Sequence, residues 1–172
     1  MGRIDITRLS DRYRVRRLNH NDVDAVYSLC EGNVQFYRYS GRQLSRELII
    51  HDMEIAPPNI PMEQKYFIGF FDNDSLVAVM DLIDGYPDHS YAYIGFFMLD
   101  IDLQGAGVGS MIIRYVLEYL AGLGFNKCRL GIDKANPQST HFWAKNRFET
   151  IREVTTDDGI ILVAEKPLCY HR

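Results

Sequence analysis

A chain of 172 residues with a formal charge of −4 and 47% apolar side chains is long enough to bury a core without a disulfide or metal, and too acidic for a general nucleic-acid binder. Three widely spaced cysteines, Cys30, Cys128 and Cys169, read as reduced thiols, neither a disulfide framework nor a zinc site, so no metal is expected. The N-terminal MGRIDITRLSD lacks an apolar signal region, and no apolar run reaches the roughly 18–20 residues of a membrane span. The expectation is a soluble, cytoplasmic domain over 1–172 with no membrane partner.

RYRVRRL (12–18) alternates as a short strand. Asn21 stands where an N-cap would open a helix over DVDAVYSLC, whose Val23, Val26, Tyr27, Leu29 and Cys30 fall at helical spacing. After Gly32, VQFYRYS and RQLSRELIIHDME read as one or two further helical pieces, ended by the prolines of APPNIP. Three strands follow: KYFIGFF (65–71), SLVAVMDLI (75–83) and SYAYIGFFML (90–99). The short links between them make them antiparallel neighbours. A glycine-rich turn then opens a long helix that stops near Gly122 and Gly124. NKCRLGI (126–132) is a fifth strand, and NPQSTHFWAKN (136–146) a short helix with Pro137 in its first turn. ETIREV and IILVAEKPL close as a hairpin across Asp158-Gly159. The order β-α-α-β-β-β-α-β-α-β-β describes a mixed α/β (α+β) fold, a mostly antiparallel twisted sheet with one crossover through the glycine-headed helix.

That helix begins at Gln104-Gly105-Ala106-Gly107-Val108-Gly109-Ser110. Glycine weakens a helix interior by about 1 kcal/mol relative to alanine, so three here need a reason. A glycine-rich turn at a helix start exposes unpaired N–H groups at the positive end of the dipole and lets an anion approach the backbone closely. A Walker A loop is excluded, because Gly109 is followed by Ser110-Met111 with no lysine. A Rossmann fingerprint is excluded as well, because counting from Gly105 and Gly107 the third glycine position is Ser110. The coenzyme A pyrophosphate loop, Q/R-x-x-G-x-G/A, is matched in full. The bland alternative is a tight strand-to-helix turn.

FFMLDIDLQGAGVG and, after one strand, NPQSTHFWAKNRF are similar to two consecutive motifs of the GNAT superfamily of acyl-CoA N-acyltransferases, the second being N-x-x-A-x-x-x-Y-x-x-x-G-F. The resemblance covers roughly 65–150. It implies a GNAT-like sheet splayed between its fourth and fifth strands, with the pantetheine arm of acetyl-CoA lying in the gap. Main-chain groups of Phe97, Met98 and Leu99 would pair with that arm, one N–H polarising the thioester carbonyl. The amides from Gln104 to Ser110 would hold the pyrophosphate, and Asn136 would meet the pantetheine region, where an N-cap role is equally compatible. Lys145 lies within reach of a phosphate, although a solvated lysine is the simpler reading.

Two departures bear on catalysis. The family tyrosine that often protonates the departing thiolate falls at Trp143, whose indole has no usable acid. The family glycine before the final Phe is Arg147, tolerable where no positive φ is needed. An alkylammonium costs about 4.6 kcal/mol to deprotonate at pH 7, yet the strand glutamate of many GNATs is Tyr93 here. The nearest titratable groups are Asp81, Asp84, His89, Tyr91 and Tyr93, of which Tyr93 and Asp81 are the catalytic candidates; His141 reads as solvent-exposed. The cover over 21–60 carries Glu31, Glu47, Asp52 and Glu54, suiting a cationic amine, alongside Arg38, Arg42 and Arg46, which oppose it. The expectation is acetyl transfer from acetyl-CoA to a small-molecule amine. The alternatives are a non-catalytic acyl-CoA-binding or regulatory module and acetylation of a protein amine; a homodimer is left open.

Overall fold

The computed structural model describes residues 2–169. Among them, seven strands form one sheet in the order β1-β2-β3-β4-β5-β7-β6: β1 (Arg14–Arg17), β2 (Lys65–Asp72), β3 (Ser75–Asp84), β4 (Tyr91–Leu99), β5 (Lys127–Asp133), β6 (Glu149–Thr156) and β7 (Gly159–Pro167). The helices are α1 (Val23–Glu31), α2 (Val34–Ser40), α3 (Arg46–Glu54), α4 (Val108–Gly122) and α5 (Pro137–Lys145). Only β4 and β5 pair in parallel, because α4 carries the chain over the sheet between them. The expected mixed fold is met, and the one or two helical pieces expected after α1 are two, so three helices lie between β1 and β2 where the summary order has two. Gly41, at φ +68°, ends α2, and Ser45 accepts from the Leu48 amide at 3.0 Å to start α3, so the two segments cannot fuse.

Two local expectations shift. The cap before α1 is Asn19, not Asn21: its side chain accepts from the Asn21 amide at 2.9 Å while Asp22 accepts from the Asn19 amide, closing a box around a single 3₁₀ turn. The last hairpin turns at Asp157-Asp158, one residue earlier than expected, because Thr156 pairs with Gly159.

Central strands β2 and β3 are covered on both faces, which is why they read as near-continuous apolar runs. Side chains alternate between the faces. Ile68, Phe70, Met80 and Leu82 pack with Ile112, Ile113, Val116 and Leu120 of α4. Phe67, Phe71, Val79 and Met98 pack with Val26 and Leu29 of α1 and Ile49 and Met53 of α3.

The sheet opens in its middle. β4 and β5 pair from Tyr91–Lys127 to Ile94–Leu130 and no further. At that point β4 holds an extra residue: Phe96 pairs with Asp81 and Ile94 with Leu82, so Gly95 has no partner on β3. Such a bulge bends its strand. Beyond it β4 and β5 diverge, which is the splay expected between the fourth and fifth strands.

The end of α5 corrects one expectation. Arg147 sits at φ +65°, its amide bonded to the Ala144 carbonyl and the Phe148 amide to that of Trp143. These two bonds form a left-handed C-terminal cap, the same closure that Gly124 makes after α4. Arg147 therefore occupies a conformation that strains any side chain. Arg147→Gly is expected to raise stability by about 0.5–1 kcal/mol, strain relief exceeding the added entropy of the unfolded chain, as read from denaturant midpoints at constant m.

Candidate active site

Two cavities meet where the sheet splits. The first, about 320 Å³, lies between the C-terminal part of β4, the 104–110 loop and α5. The second, about 330 Å³, lies between β4 and β5 and is bounded by the end of α2 and the β6–β7 turn. Phe36, Phe97, Ser139 and Trp143 wall both, so the two form one cleft through the sheet.

The loop glycines divide into two jobs. Gly105 and Gly107 both have φ +81°, and a Cβ on either would meet nothing within 4 Å. Gly107 is the N-cap of α4, and no side chain caps that helix. Among the described residues, the amides of residues 105–110 donate to no backbone or side-chain acceptor. A 15-residue helix thus aims its positive end and several free N–H groups at open space. Gly109 instead provides clearance: a Cβ there would lie 3.1 Å from Phe142, so its absence lets α5 pack close to α4. Ser110 accepts from Asn146 at 3.1 Å and keeps its hydroxyl hydrogen to donate. Ala106 and Val108 do not wall the cavity with side chains.

Hydrogen-bond alternation shows which groups of β4 face the gap. Asp100 donates to the Val77 carbonyl at 2.9 Å, and the register runs one-for-one back to Asp81–Phe96. Main-chain groups of Met98 and Phe96 therefore turn toward β3, and those of Phe97 and Leu99 toward the gap. Met98 lines the cleft without offering it main-chain groups, a correction to the expected pairing. The Leu99 carbonyl is already filled, by Asn33 Nδ2 at 3.1 Å and Gln104 Nε2 at 3.0 Å. Gln104 also reaches Asn33 at 2.6 Å and Gln138 at 2.8 Å, so its side chain braces the loop against α2 and α5.

Asn136 caps α5 and also walls the first cavity. Its Oδ1 caps α5 by accepting from the Ser139 amide at 3.1 Å, and its Nδ2 makes no hydrogen bond to the described residues in a position that walls the cavity. Trp143 is buried at the junction of the two cavities, its ring 6.2 Å from Phe97, 4.9 Å from Phe142 and 5.1 Å from Phe148. His141 and Lys145 are exposed on the rim of the first cavity.

The catalytic candidates separate by environment. Lys65 Nζ holds Asp81 Oδ1 at 2.7 Å, with 2% and 15% of the two side chains exposed. Burial pushes the Asp81 carboxyl above the usual carboxylate range, while Lys65 pulls it back. Burial also raises Tyr93, with Tyr86 packed on its ring at 5.2 Å. Its hydroxyl lies near Gly131 at the mouth of the splay. Asp84 and His89 leave the list: Arg3 clamps Asp84 Oδ1 with Nη2 at 2.7 Å and bonds the His89 carbonyl, far along β4 from the gap. Tyr91 is there too, its ring under Arg129.

The second cavity is charged differently from what was expected of an acceptor site. None of Glu31, Glu47, Asp52 or Glu54 walls it; Asp52 pairs with Arg42 at 2.6 Å and Glu54 with His20 at 2.7 Å. Its carboxylates are Asp133 and Asp158, and burial together with Asp158 raises Asp133 above its usual range. These were missed because they sit on β5 and the β6–β7 turn, distant in sequence from the cover. Gly95 was legible, since a glycine inside a strand pattern marks a bulge; Asn33 and Gln138 carry no such signal.

At the level of sequence no curated protein matches this chain. Solved structures share its fold. An acetyltransferase from Thermus thermophilus is 19% identical with a TM-score of 0.69, covering 91% of this chain and 97% of its own. A spermidine N-acetyltransferase chimera (SpeG) from Vibrio cholerae and hSSAT is 16% identical with a TM-score of 0.69, over 92% and 96%. The PaiA N-acetyltransferase of Thermoplasma acidophilum, solved in complex with coenzyme A, is 17% identical with a TM-score of 0.63, over 90% and 98%. The acetyltransferase (GNAT) family model matches residues 27–148, from α1 through the cap that closes α5, and the chain is a member of that family.

Proposed function

We propose that this acyltransferase moves acetyl from acetyl-CoA to the primary amine of a small cationic molecule, by direct attack in a ternary complex, with 1–172 acting as one catalytic domain. The observation that carries this reading is the cleft through the sheet, with bare amides at one mouth and carboxylates at the other. The residues present fit the cofactor, because the free amides of the loop and the open space over Gly105 and Gly107 suit a diphosphate. Acetyl-CoA supplies an activated acyl thioester when bound.

The 105–110 amides and Ser110 would hold the diphosphate, and the main-chain groups of Phe97 and the Leu99 amide would pair with the pantetheine arm. An amide on the same edge would stabilise negative charge on the thioester oxygen. Asn136 Nδ2 and the ring of Trp143 close the cleft over that arm. Tyr93, with its pKa raised, keeps its proton at neutral pH and acts as a donor; Asp81 is the carboxylate that receives a proton.

The cationic preference rests on Asp133 and Asp158, since Arg42, the cation in that wall, is paired with Asp52. One of the similar folds being a spermidine N-acetyltransferase supports it.

Release of free thiol from acetyl-CoA, followed with putrescine, butylamine and a peptide bearing a free N-terminus and lysine, tests the reading. Putrescine is expected to exceed butylamine about tenfold in kcat/KM, equivalent to ~1.4 kcal/mol. Asp133→Asn should remove most of that preference through KM. A preference for the peptide would move the acceptor to protein, and stabilisation by CoA without turnover would leave a binding module. Gly107→Glu places bulk and negative charge in the loop at about 1–2 kcal/mol of backbone strain. It should abolish the calorimetric heat of CoA binding while melting stays cooperative; retained heat would refute the anion site.

A further inference from the structure

We infer that Gly95 is the opening through which the acceptor amine passes its proton to Asp81, and that Lys65 is the positioning residue that holds this carboxylate; the inference rests on the acetyl-transfer reading above. Gly95 is exposed and walls the acceptor cavity, whereas Asp81 lies behind it and does not. A Cβ built on Gly95 would stand 2.8 Å from Asp81 Oδ2 and 3.4 Å from its Cγ. Any side chain at this position would thus fill the space between the carboxylate and the cavity.

The two carboxylate oxygens have different surroundings. Oδ1 is fixed by Lys65 Nζ at 2.7 Å, while Oδ2 faces Gly95 and accepts no hydrogen bond among the described residues. A buried ion pair is a weak source of stability, since a well-packed apolar pair of similar volume does as well or better. Here the pair has a chemical use: the lysine anchors one oxygen and the missing side chain uncovers the other.

The charged and titratable groups around Asp81 come from three elements. Lys65 on β2 favours the carboxylate. Asp52 on α3 disfavours it, although Arg42 pairs with Asp52. Tyr93 on β4, raised in part by Asp81, stays neutral. With burial on top, the carboxyl stands above the usual range, closer to the operating pH that suits a general base.

The step balances. The acceptor ammonium gives one proton to Asp81 Oδ2, directly or through one water, and the free amine forms the new N–C bond as the C–S bond of the thioester breaks. The second nitrogen proton ends on the departing thiolate, giving amide and thiol. Asp81 returns its proton to solvent through the same opening.

The test uses the full chain with acetyl-CoA and putrescine, read as thiol release, CoA affinity by calorimetry and melting temperature. Gly95→Ala is expected to lower kcat at least 100-fold with CoA affinity unchanged. Asp81→Asn should match it and lose the acid limb of the kcat/KM profile. Lys65→Met removes the cation that favours the carboxylate, so the acid limb should move to higher pH, and Lys65→Arg should restore it. Where Asp81→Asn or Lys65→Met fails to melt cooperatively, Gly95→Ala and Lys65→Arg carry the test. Parent-like kcat in Gly95→Ala, or an unchanged pH profile in folded Asp81→Asn, overturns the inference and leaves acetyl transfer standing. No thiol release from the parent with any amine overturns both.

Discussion

Past Gly95, the main-chain groups of Phe97 and Leu99 face a gap with no strand on the other side. Backbone donors and acceptors inside a protein need partners, and leaving one buried and unpaired costs on the order of 1–3 kcal/mol. The chain meets this demand in part: Asn33 and Gln104 fill the Leu99 carbonyl. The remaining groups stay available, and the rest of the cleft is arranged around them. The α4 N-terminus stands at one end of this edge and the Lys65–Asp81 pair at the other.

The wall opposite that edge is built by packing. Trp143 touches Phe97, Phe142 and Phe148, and the left-handed cap at Arg147 is what brings Phe148 back onto it. Gly109 lets Phe142 come close enough to complete the cluster. An indole in this place supplies area and shape and no acid. With an indole in place of the family tyrosine this wall carries no acid, and the titratable side chains Tyr93 and Asp81 lie on β4 and β3, on the other side of the cleft. The chain accepts a strained residue at position 147 to keep this wall in place.

Charge is allotted with the same economy of partners. Arg42 is matched to Asp52, Lys65 to Asp81 and Arg129 to Glu165. Asp133 and Asp158 are left as the carboxylates of the cavity wall. Asp133 is half-buried there and Asp158 exposed, so solvent partly screens their field at that wall. The overall value of −4 does not report how charge is distributed between the two mouths of the cleft.

The strands, the glycine-headed helix and the short helix behind Asn136 were legible because local patterns dictate them: period-two burial, helical spacing and turn residues all act within a few positions. Gln104 through Ser110 could be read as an anion site for the same reason, since free amides at a helix start need only the residues that form the turn. Arg147's strain was not legible, because only the closing bonds to Ala144 and Trp143 impose its positive φ. Nor was the fate of Asp84, claimed by Arg3 from 81 positions away, or the arrival of Asp133 and Asp158 in place of the acids on the cover. By itself the sequence determined most of the elements, their order and the glycine-rich turn that opens α4. The tertiary structure alone decided which main-chain groups face the gap, which carboxylates are already paired and which are free, because these depend on strand register and on contacts between residues far apart in the chain.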